Sequence, residues 1–311
     1  MKKKKLVGLG LGFMLALGVL PAQEVHASVN STAVQQGEKL AYQLRGFNKL
    51  IESGDIYDVN RSYDSFSRQI QAAEKAVGRV SGSSKRKALS KKYVTPAKVA
   101  RERVIYEVSQ YRLMKVIGKD ALLNRVTYVD SNLKKLDRLK KRAVEIKKAG
   151  KYKAVPAVMT GYLSETEKLQ KTNRFAVPDL SLNHTLTSDE LDSFLLLNQD
   201  RYRSKKPLMT LSEKLSYIAQ MKSKDMHSTG ILSQYSSKYG DVGQMIMKFG
   251  FQQPNEAGIL VYKFTTASNA KAQRELWRNN ASLKNVLYHP AFNYAGVGSY
   301  RSYATHLFVN I

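Results

Sequence analysis

The stretch VTYVDSNLKKLDRLKKRAVEIKK at residues 126–148 decides how the first half of the chain folds. Its apolar residues recur every three or four positions, and they are Val126, Val129, Leu133, Leu136, Leu139, Ala143 and Ile146. A period near 3.6 places such residues on one face of an α-helix. Lysines occupy many of the remaining positions, among them Lys134, Lys135, Lys140, Lys141, Lys147 and Lys148. The pattern predicts a long amphipathic helix with an apolar seam and a basic exposed face.

The same spacing predicts further helices on both sides of this stretch. They lie near 33–52, 58–80, 97–117 and 154–172. Polar or glycine-containing breaks at 53–55, 81–84, Gly118 and Gly150 separate them, and strand signals are few. We therefore expect residues 28–175 to form an all-helical domain, either an antiparallel bundle or an elongated rod.

Positive charge is concentrated in this half. The 311 residues include 51 Lys+Arg and 25 Asp+Glu, for a formal net charge of +26. Residues 28–180 carry a net charge of +17, and residues 181–311 carry +6. A potential of this size attracts polyanions and speeds encounter with them.

The first 27 residues have the three parts of a secretory signal peptide. Four lysines at 2–5 precede an apolar run of 15 residues at 6–20, and Val25-His26-Ala27 forms a small-residue cleavage site. An uncleaved membrane anchor is the alternative, although a spanning helix needs about 20 apolar residues. We expect cleavage after Ala27 and export. The chain has no cysteine, which excludes disulfides, thiolate metal sites and cysteine nucleophiles.

The chain changes character after residue 175. Periodicity stops and polar residues gather, so residues 176–187 are interpreted as a linker. Capping-box patterns at 187–190 and 210–213 predict two helix starts. Strand-like residues at 258–264, a helix near 270–278 and a hairpin around 299–302 follow. Together they predict a layered α/β second domain, and thus a multidomain protein.

Residues 188–311 resemble the CAP superfamily (cysteine-rich secretory protein, antigen 5, pathogenesis-related 1; SCP-like), in its cysteine-free bacterial branch. The resemblance rests on an ordered set of segments: Leu197-Asn198-Gln199-Asp200-Arg201, Tyr239-Gly240-Asp241, Ala257-Gly258, Trp277, Asn285-Val286-Leu287-Tyr288-His289-Pro290, Gly296-Val297-Gly298 and Tyr303-Ala304-Thr305-His306-Leu307-Phe308. It implies an α/β/α sandwich around a small antiparallel sheet.

The residue types that bind metal in that family do not occur at the corresponding positions of this chain. The resemblance implies a His, a Glu and a second His in a central cleft, and these align with Gln234, Ile259 and Leu283. Isoleucine and leucine side chains have no donor or acceptor, so they neither ligate a cation nor move a proton. We expect a degenerate cleft with no metal, no cofactor and no catalytic residue. Glu256, His227 and His306 are the residues that could rebuild a site.

Other catalytic patterns are missing from the sequence. It contains no Gly-x-Ser-x-Gly, no His-Glu-x-x-His, no phosphate-binding loop and no dinucleotide fingerprint. These absences favour a protein that is not an enzyme.

Residues 33–175 resemble the helical domains of SbsC-type surface-layer proteins, on residues 54–64, Ala100-Arg101, Tyr106 and the Lys/Arg-rich helices. The resemblance implies attachment to an anionic cell-wall glycopolymer. The basic clusters predicted to contact it are Lys85, Arg86, Lys87, Lys91, Lys92, Lys134, Lys135, Lys140, Lys141 and Arg142. A solvated helix face is the alternative interpretation of the same residues.

The leading hypothesis is a secreted, cell-wall-associated binding protein. Its basic helical domain would hold an anionic wall polymer, and its CAP-like domain would bind an unknown ligand or partner. An acidic membrane surface is a second partner that the charge would fit, whereas nucleic acid is not expected because no base-reading motif is present. The alternatives are an atypical CAP-domain enzyme acting on cell wall or peptides and a surface-layer-like structural protein.

Overall fold

The computed structural model describes residues 22–311, with side chains from residue 29 onward. The predicted signal peptide, residues 1–27, lies outside the described residues except at 22–27, where the backbone is helical. Among the helices of residues 22–311, none combines the length and apolar character needed to cross a bilayer.

Helices make up the first half. They are α1 (Ala22–Ser53), α2 (Ile56–Gly78), α3 (Ser83–Leu89), α4 (Thr95–Leu122), α5 (Val126–Gly150) and α6 (Ala157–Lys171), with a π-helical turn at Ser90–Val94. The five predicted helices are all present, and α3, which begins within the predicted break at 81–84, is a helix that the sequence analysis did not predict. Asp55 begins α2 by accepting a hydrogen bond from the Asp58 amide at 3.2 Å.

The predicted helix break at Gly118 is wrong, because α4 continues to Leu122. Gly118 serves close packing instead. A Cβ added there would lie 2.6 Å from Cε1 of Phe175, so the missing side chain lets the Phe175 ring lie against α4. This contact holds the residues after Phe175 beside the C-terminal end of α4.

The second half alternates strands and helices. Its elements are β1 (Ala176–Val177), α7 (Ser188–Arg203), β2 (Thr210–Ser212), α8 (Glu213–Thr229), α9 (Val242–Lys248), β3 (Glu256–Lys263), α10 (Ala270–Asn279), α11 (Ala281–Leu287), β4 (Tyr294–Tyr300) and β5 (Tyr303–Asn310). The predicted capping box of Thr187 and Glu190 forms at the start of α7. The one predicted at Thr210 does not, since Thr210 lies in β2 and Ser212 caps α8.

The five strands form one sheet in the order β1-β2-β4-β5-β3. The predicted hairpin is confirmed, with β4 and β5 antiparallel and joined at Arg301-Ser302. The expected antiparallel sheet is corrected to a mixed one, because β1 pairs with β2, and β2 with β4, in parallel.

Two consecutive residues of β5 contact helices on opposite faces of the sheet. Thr305 lies 2.9 Å from Ser223 of α8, whereas the next residue, His306, contacts Ser193 of α7 and Gln273 of α10. Successive side chains of a strand point to opposite faces, so helices cover both faces of the sheet. This layering agrees with the expected α/β/α arrangement.

The two halves also pack against each other. One connected group of buried apolar side chains extends from Ala33 in α1 to Phe308 in β5. The Tyr162 hydroxyl of α6 donates to the carbonyl of Leu195 in α7 at 2.8 Å. The segment predicted as a linker contains β1, and the division into two domains stays a prediction.

Candidate functional site

A row of exposed cations follows the outer face of α5. We call it the α5 ridge, and its members are Lys134, Arg138, Lys141, Arg142 and Lys148. Residues spaced by three or four are neighbours on a helix surface, so Lys134, Arg138, Lys141 and Arg142 form a continuous strip, and Lys148 lies about two turns beyond Lys141, with Glu145 between them. Within the described part of the chain, none of the five has an acidic partner within 4.0 Å. Two exposed acids lie along the strip: Asp137, which is three residues from Lys134 and four from Lys141, and Glu145, which lies beside Arg142.

The acids on the inner side of α5 are paired with other lysines. Glu167 of α6 is 7% exposed and lies 2.6 Å from the Lys140 amine and 2.8 Å from the Lys171 amine. Lys171 also contacts Asp137 at 2.9 Å, and its hydrogen bond lowers the pKa of that carboxyl. Lys147 is paired with Glu107 of α4. These pairings join α5 to α4 and α6, and the cations of the α5 ridge have no direct ion pair among the described residues.

The second predicted basic cluster lies elsewhere on the molecule. It includes Lys85, Arg86 and Lys87 on α3 and Lys91 and Lys92 on the π-helical turn. This cluster packs against α1 and α2, whereas α5 packs on α4, so the structure does not join the two predicted groups into one surface.

Two members of the second cluster are engaged within the protein. The Arg86 guanidinium donates to the carbonyl of Val80 at 2.9 Å, and Lys92 lies 3.6 Å from Glu38. Lys85, Lys87 and Lys91 are exposed, and no acid of the described residues lies within 4.0 Å of them.

The ten predicted polyanion-binding residues therefore differ in whether their side chains are free to contact a polyanion. Lys134, Lys141 and Arg142 belong to the α5 ridge, Lys135 donates to the amide oxygen of Asn132 at 2.9 Å, and Lys140 is paired with Glu167. Sequence reasoning did not assign Arg138 and Lys148 to the binding set. Their spacing of four residues from Lys134 and seven from Lys141 was the signal that could have added them.

The three degenerate cleft positions lie around β3. The Gln234 amide nitrogen donates to the carbonyl of Ile259 at 3.3 Å, so these two positions are in contact. Leu283 is half-buried on α11, which packs on β3. Ile259 is buried, and its side chain packs among apolar neighbours of α8 and β5.

The histidines proposed as replacements do not meet. His306 is fully buried, and burial lowers its pKa to about 3. Its Nε2 lies 2.8 Å from the Gln273 amide oxygen and 3.0 Å from the Ser193 hydroxyl. His227 is exposed on α8, packed on the ring of Tyr300, at the opposite face of the sheet from His306.

Glu256 has a different partner. Its carboxylate lies 3.3 Å from Nδ1 of His289, and both side chains are nearly half exposed. Across residues 22–311, no group of three or more His, Asp or Glu side chains is arranged to hold a metal ion.

Comparison with known proteins identifies similarities over parts of the chain. The family described as the SbsC C-terminal domain matches residues 23–98, which include α1, α2 and α3. This match covers less of the chain than the resemblance at 33–175 suggested, and it does not include α5. No curated protein matches the chain.

Three solved structures match less than half of this chain. An extracellular protein of Bacillus anthracis containing an SCP domain is 23% identical, with 47% of this chain and 50% of that chain covered and a TM-score of 0.38. A cysteine-rich secretory protein of Staphylococcus aureus is 13% identical, with 40% and 38% covered and a TM-score of 0.33. An outer surface protein of Borrelia burgdorferi is 14% identical, with 42% and 98% covered and a TM-score of 0.35.

The chain spans about half the length of the Bacillus protein and less of the Staphylococcus protein. The two kinds of protein that the sequence resembles, SbsC-type and SCP-type, are both among these matches. The SbsC-type resemblance is confirmed over residues 23–98.

Proposed function

We propose that this protein is a secreted, surface-associated binding protein that holds an anionic cell-wall polymer on the α5 ridge. The observation that carries the proposal is the row of exposed cations that includes Lys134, Arg138 and Lys141, which have no ion pair of their own, beside Glu167, which other lysines already occupy. Ammonium and guanidinium groups bind phosphates and carboxylates as point charges and forks.

Export is part of the same proposal. It is supported by the basic and apolar segments at residues 2–20 and by the small-residue site ending at Ala27. Outside a cell with a Gram-positive-type wall, the abundant polyanions are wall glycopolymers. The second-half sheet would then present its cleft to a ligand or partner without catalysing a reaction.

The experiment is retention of the purified protein on cell walls as salt is raised. Exposed charges are screened over about 8 Å at physiological ionic strength, so retention should fall steeply between low salt and about 0.5 M salt. Walls stripped of their anionic polymer by acid should retain little protein. Retention that salt leaves unchanged would contradict the electrostatic mechanism.

A matched pair of variants localises the contact. The first replaces Lys134, Arg138, Lys141 and Arg142 by Gln, and the second replaces Lys205, Lys238, Lys263 and Lys284 of the second half by Gln. Both lower the net charge by the same amount. The first should weaken retention by roughly tenfold or more, and the second should leave it nearly unchanged. Equal losses would mean that overall charge, rather than the α5 ridge, controls binding. Anionic vesicles assayed in parallel would show whether acidic lipid competes with the wall.

A self-assembling surface component is the second candidate. The match of residues 23–98 to the SbsC C-terminal domain favours it. Sedimentation velocity over a range of protein concentrations tests it, and a monomer at every concentration would argue against assembly.

A further inference from the structure

Strand β3 forms one edge of the sheet. Within the described sheet it is the last strand in the order β1-β2-β4-β5-β3, and it pairs with β5 without a bulge from Glu256 to Lys263. Its sequence is Glu-Ala-Gly-Ile-Leu-Val-Tyr-Lys, so the only charges stand at its two ends and it contains no proline. Natural edge strands commonly carry inner charges, prolines or bulges that prevent another strand from pairing with them. The interior of β3 has none of these, so it is able to accept a further strand.

The register shows which peptide groups of β3 face this edge. The Phe264 amide donates to the carbonyl of Ser302 at 2.8 Å, and these two residues continue the register of β3 and β5. In an antiparallel pair, residues that bond to the neighbouring strand alternate with residues whose N–H and C=O turn away from it. Counting back from Phe264, Tyr262 bonds to β5, and Val261 and Lys263 turn outward. The N–H and C=O of each outward residue point the same way, as pairing with a residue of an added strand requires.

One outward group of β3 is already in use. The side-chain nitrogen of Gln234 donates to the carbonyl of Ile259 at 3.3 Å. Ile259 is two residues before Val261, so this contact agrees with the alternation. Among the described residues, no hydrogen bond reaches the outward peptide groups of Val261 and Lys263. The free part of the edge is therefore the C-terminal half of β3, where Val261 is half-buried and Lys263 is exposed.

An apolar loop lies against the same side of the sheet. It follows α8 at residues 231–235, and its exposed apolar side chains are Ile231, Leu232 and Tyr235. Gln234 of this loop contacts β3, and the hydroxyl of Tyr303, opposite Lys263, donates to the carbonyl of Gly230 at 3.2 Å. Side chains of an added strand that pointed toward the loop would cover these apolar groups.

Charge restricts what would pair with this edge. Residues 181–311 carry a net charge of +6, and the whole chain carries +26. Two copies that paired edge to edge would bring like charges together, whereas an acidic segment would be attracted. In strand addition, main-chain hydrogen bonds supply affinity and alternate side chains supply specificity.

We propose that the free half of β3 binds an extended acidic peptide by strand addition, with apolar residues of the peptide covering the loop at 231–235. This inference names the ligand class of the second half, and it rests on the binding role that the proposed function gives to that half. It does not depend on the α5 ridge, because the free peptide groups belong to β3.

The experiment is titration of the full protein with a labelled, capped hexapeptide of alternating Glu and Val, followed by fluorescence anisotropy. The fully N-methylated peptide is the matched control, because it keeps the charges and side chains and has no N–H to donate. We expect the unmethylated peptide to bind at least about tenfold more tightly. A Lys-Val hexapeptide should also bind more weakly, because its charge is repelled.

The same comparison separates this site from the α5 ridge. Attraction to the ridge would be equal for the two Glu-Val peptides, since they carry the same charge. The variant with Lys134, Arg138, Lys141 and Arg142 changed to Gln should therefore retain the difference between them. Loss of wall retention in that variant, with this difference intact, would leave the two proposals independently tested.

Amide hydrogen exchange measured by NMR locates the contact without a substitution. In the free protein, the amides of Val261 and Lys263 should exchange faster than those of Leu260 and Tyr262, which bond to β5. Peptide at about ten times its Kd should slow exchange of the first two by about tenfold and change the other two little.

A pair of proline variants tests the same location. Val261→Pro removes an outward N–H and keeps the bonds to β5, an arrangement that edge strands tolerate. It should weaken peptide binding at least about tenfold. Ala176→Pro is the control at the opposite edge. The Leu211 amide donates to the carbonyl of Phe175 at 2.9 Å, so Ala176 turns its N–H away from β2. This variant should bind the peptide as the unchanged protein does.

Three outcomes would overturn the proposal. They are equal binding of the methylated and unmethylated peptides, unchanged exchange at Val261 and Lys263 with peptide bound, and a dimer in sedimentation velocity that Val261→Pro abolishes. The last would make a second copy of the chain the occupant of the edge. Thermal unfolding shows whether each variant is folded. The peptide comparison and the exchange measurement use the unchanged protein, so they decide the question even if Val261→Pro fails to fold.

Discussion

Arg274 of α10 connects Asp55, at the start of α2, with Asp200 of α7. Its Nη1 lies 2.8 Å from Asp55 Oδ2, and its Nη2 lies 2.6 Å from Asp200 Oδ1. All three side chains are at least 95% buried. Burial raises the pKa of Asp200, but the hydrogen bonds from Arg274 and Arg278 outweigh it and lower this pKa to about 2. The cluster therefore joins the first helices to the second half through fully ionised groups.

Replacing Asp200 by Asn should destabilise the protein strongly. It would leave Arg274 with an incomplete set of acceptors inside the protein, and breaking a buried ion pair costs about 3–5 kcal/mol. Urea denaturation followed by circular dichroism measures the loss. Asp64→Asn is the control, because the pair of Asp64 with Arg112 is exposed and should contribute about 1 kcal/mol or less. Equal losses in the two variants would contradict the role of the cluster.

His306 should make stability fall as the solution becomes acidic. Its pKa is lowered to about 3 in the folded protein, against about 6.5 in the unfolded chain. Between these values the unfolded chain binds one more proton, so the free energy of unfolding should fall by about 1.4 kcal/mol for each pH unit below 6.5. His306→Gln should reduce the slope below pH 6.5 without abolishing it, because burial also lowers the pKa of His184. His227→Gln, at an exposed position, should retain the wild-type slope. A wild-type slope in His306→Gln would assign the acid sensitivity to other groups.

Gly118→Ala should destabilise the protein even though alanine favours helices. The added Cβ would lie 2.6 Å from the Phe175 ring, and overpacking of this kind costs about 1–3 kcal/mol. Gly46→Ala in α1 is the matched control, because no atom outside the adjacent residues and nearby backbone of α1 lies within 4 Å of its added Cβ. That variant should be more stable by about 0.5–1 kcal/mol. Thermal unfolding distinguishes the two, and a stabilised Gly118→Ala variant would refute the packing role of Gly118.

Lys140 and Lys141 should behave differently when each is changed to Gln. Lys140 pairs with Glu167, which is 7% exposed, so Lys140→Gln should lower the free energy of unfolding by about 1 kcal/mol or more. Lys141 has no acidic partner among the described residues, and Lys141→Gln should leave stability unchanged while weakening wall retention. The comparison needs both measurements on both variants. Equal effects of the two changes on retention would argue that pairing with Glu167 does not withdraw Lys140 from binding.

The helices could be predicted well from sequence because apolar spacing and capping residues are local signals. The spacing from Val126 to Ile146 gave α5, and Thr187 with Glu190 gave the start of α7. The continuation of α4 through Gly118 was not predictable, since its reason is Phe175, which lies 57 residues away in sequence. The parallel pairing of β1 likewise depends on two residues whose own pattern is too short to indicate a strand.

The candidate site was only partly predictable. The sequence showed where lysines cluster, but not which acids they meet in the fold. Lys140 and Lys141 are adjacent and alike in sequence, yet Lys140 contacts Glu167 of α6 and Lys141 remains at the surface. A cavity lined by parts of residues 117–130 and 170–178 gave no signal, because these two stretches come together only in the fold.

The length of α5 limits which polymers the α5 ridge would distinguish. A helix rises 1.5 Å per residue, so Lys134 and Lys148 stand about 21 Å apart along its axis. A chain with an anionic group on every sugar would meet several cations within that length, whereas a sparsely substituted chain would meet one. The protein would then select among wall polymers mainly by the number of anionic groups per unit length of polymer. The identity of the sugars would matter less.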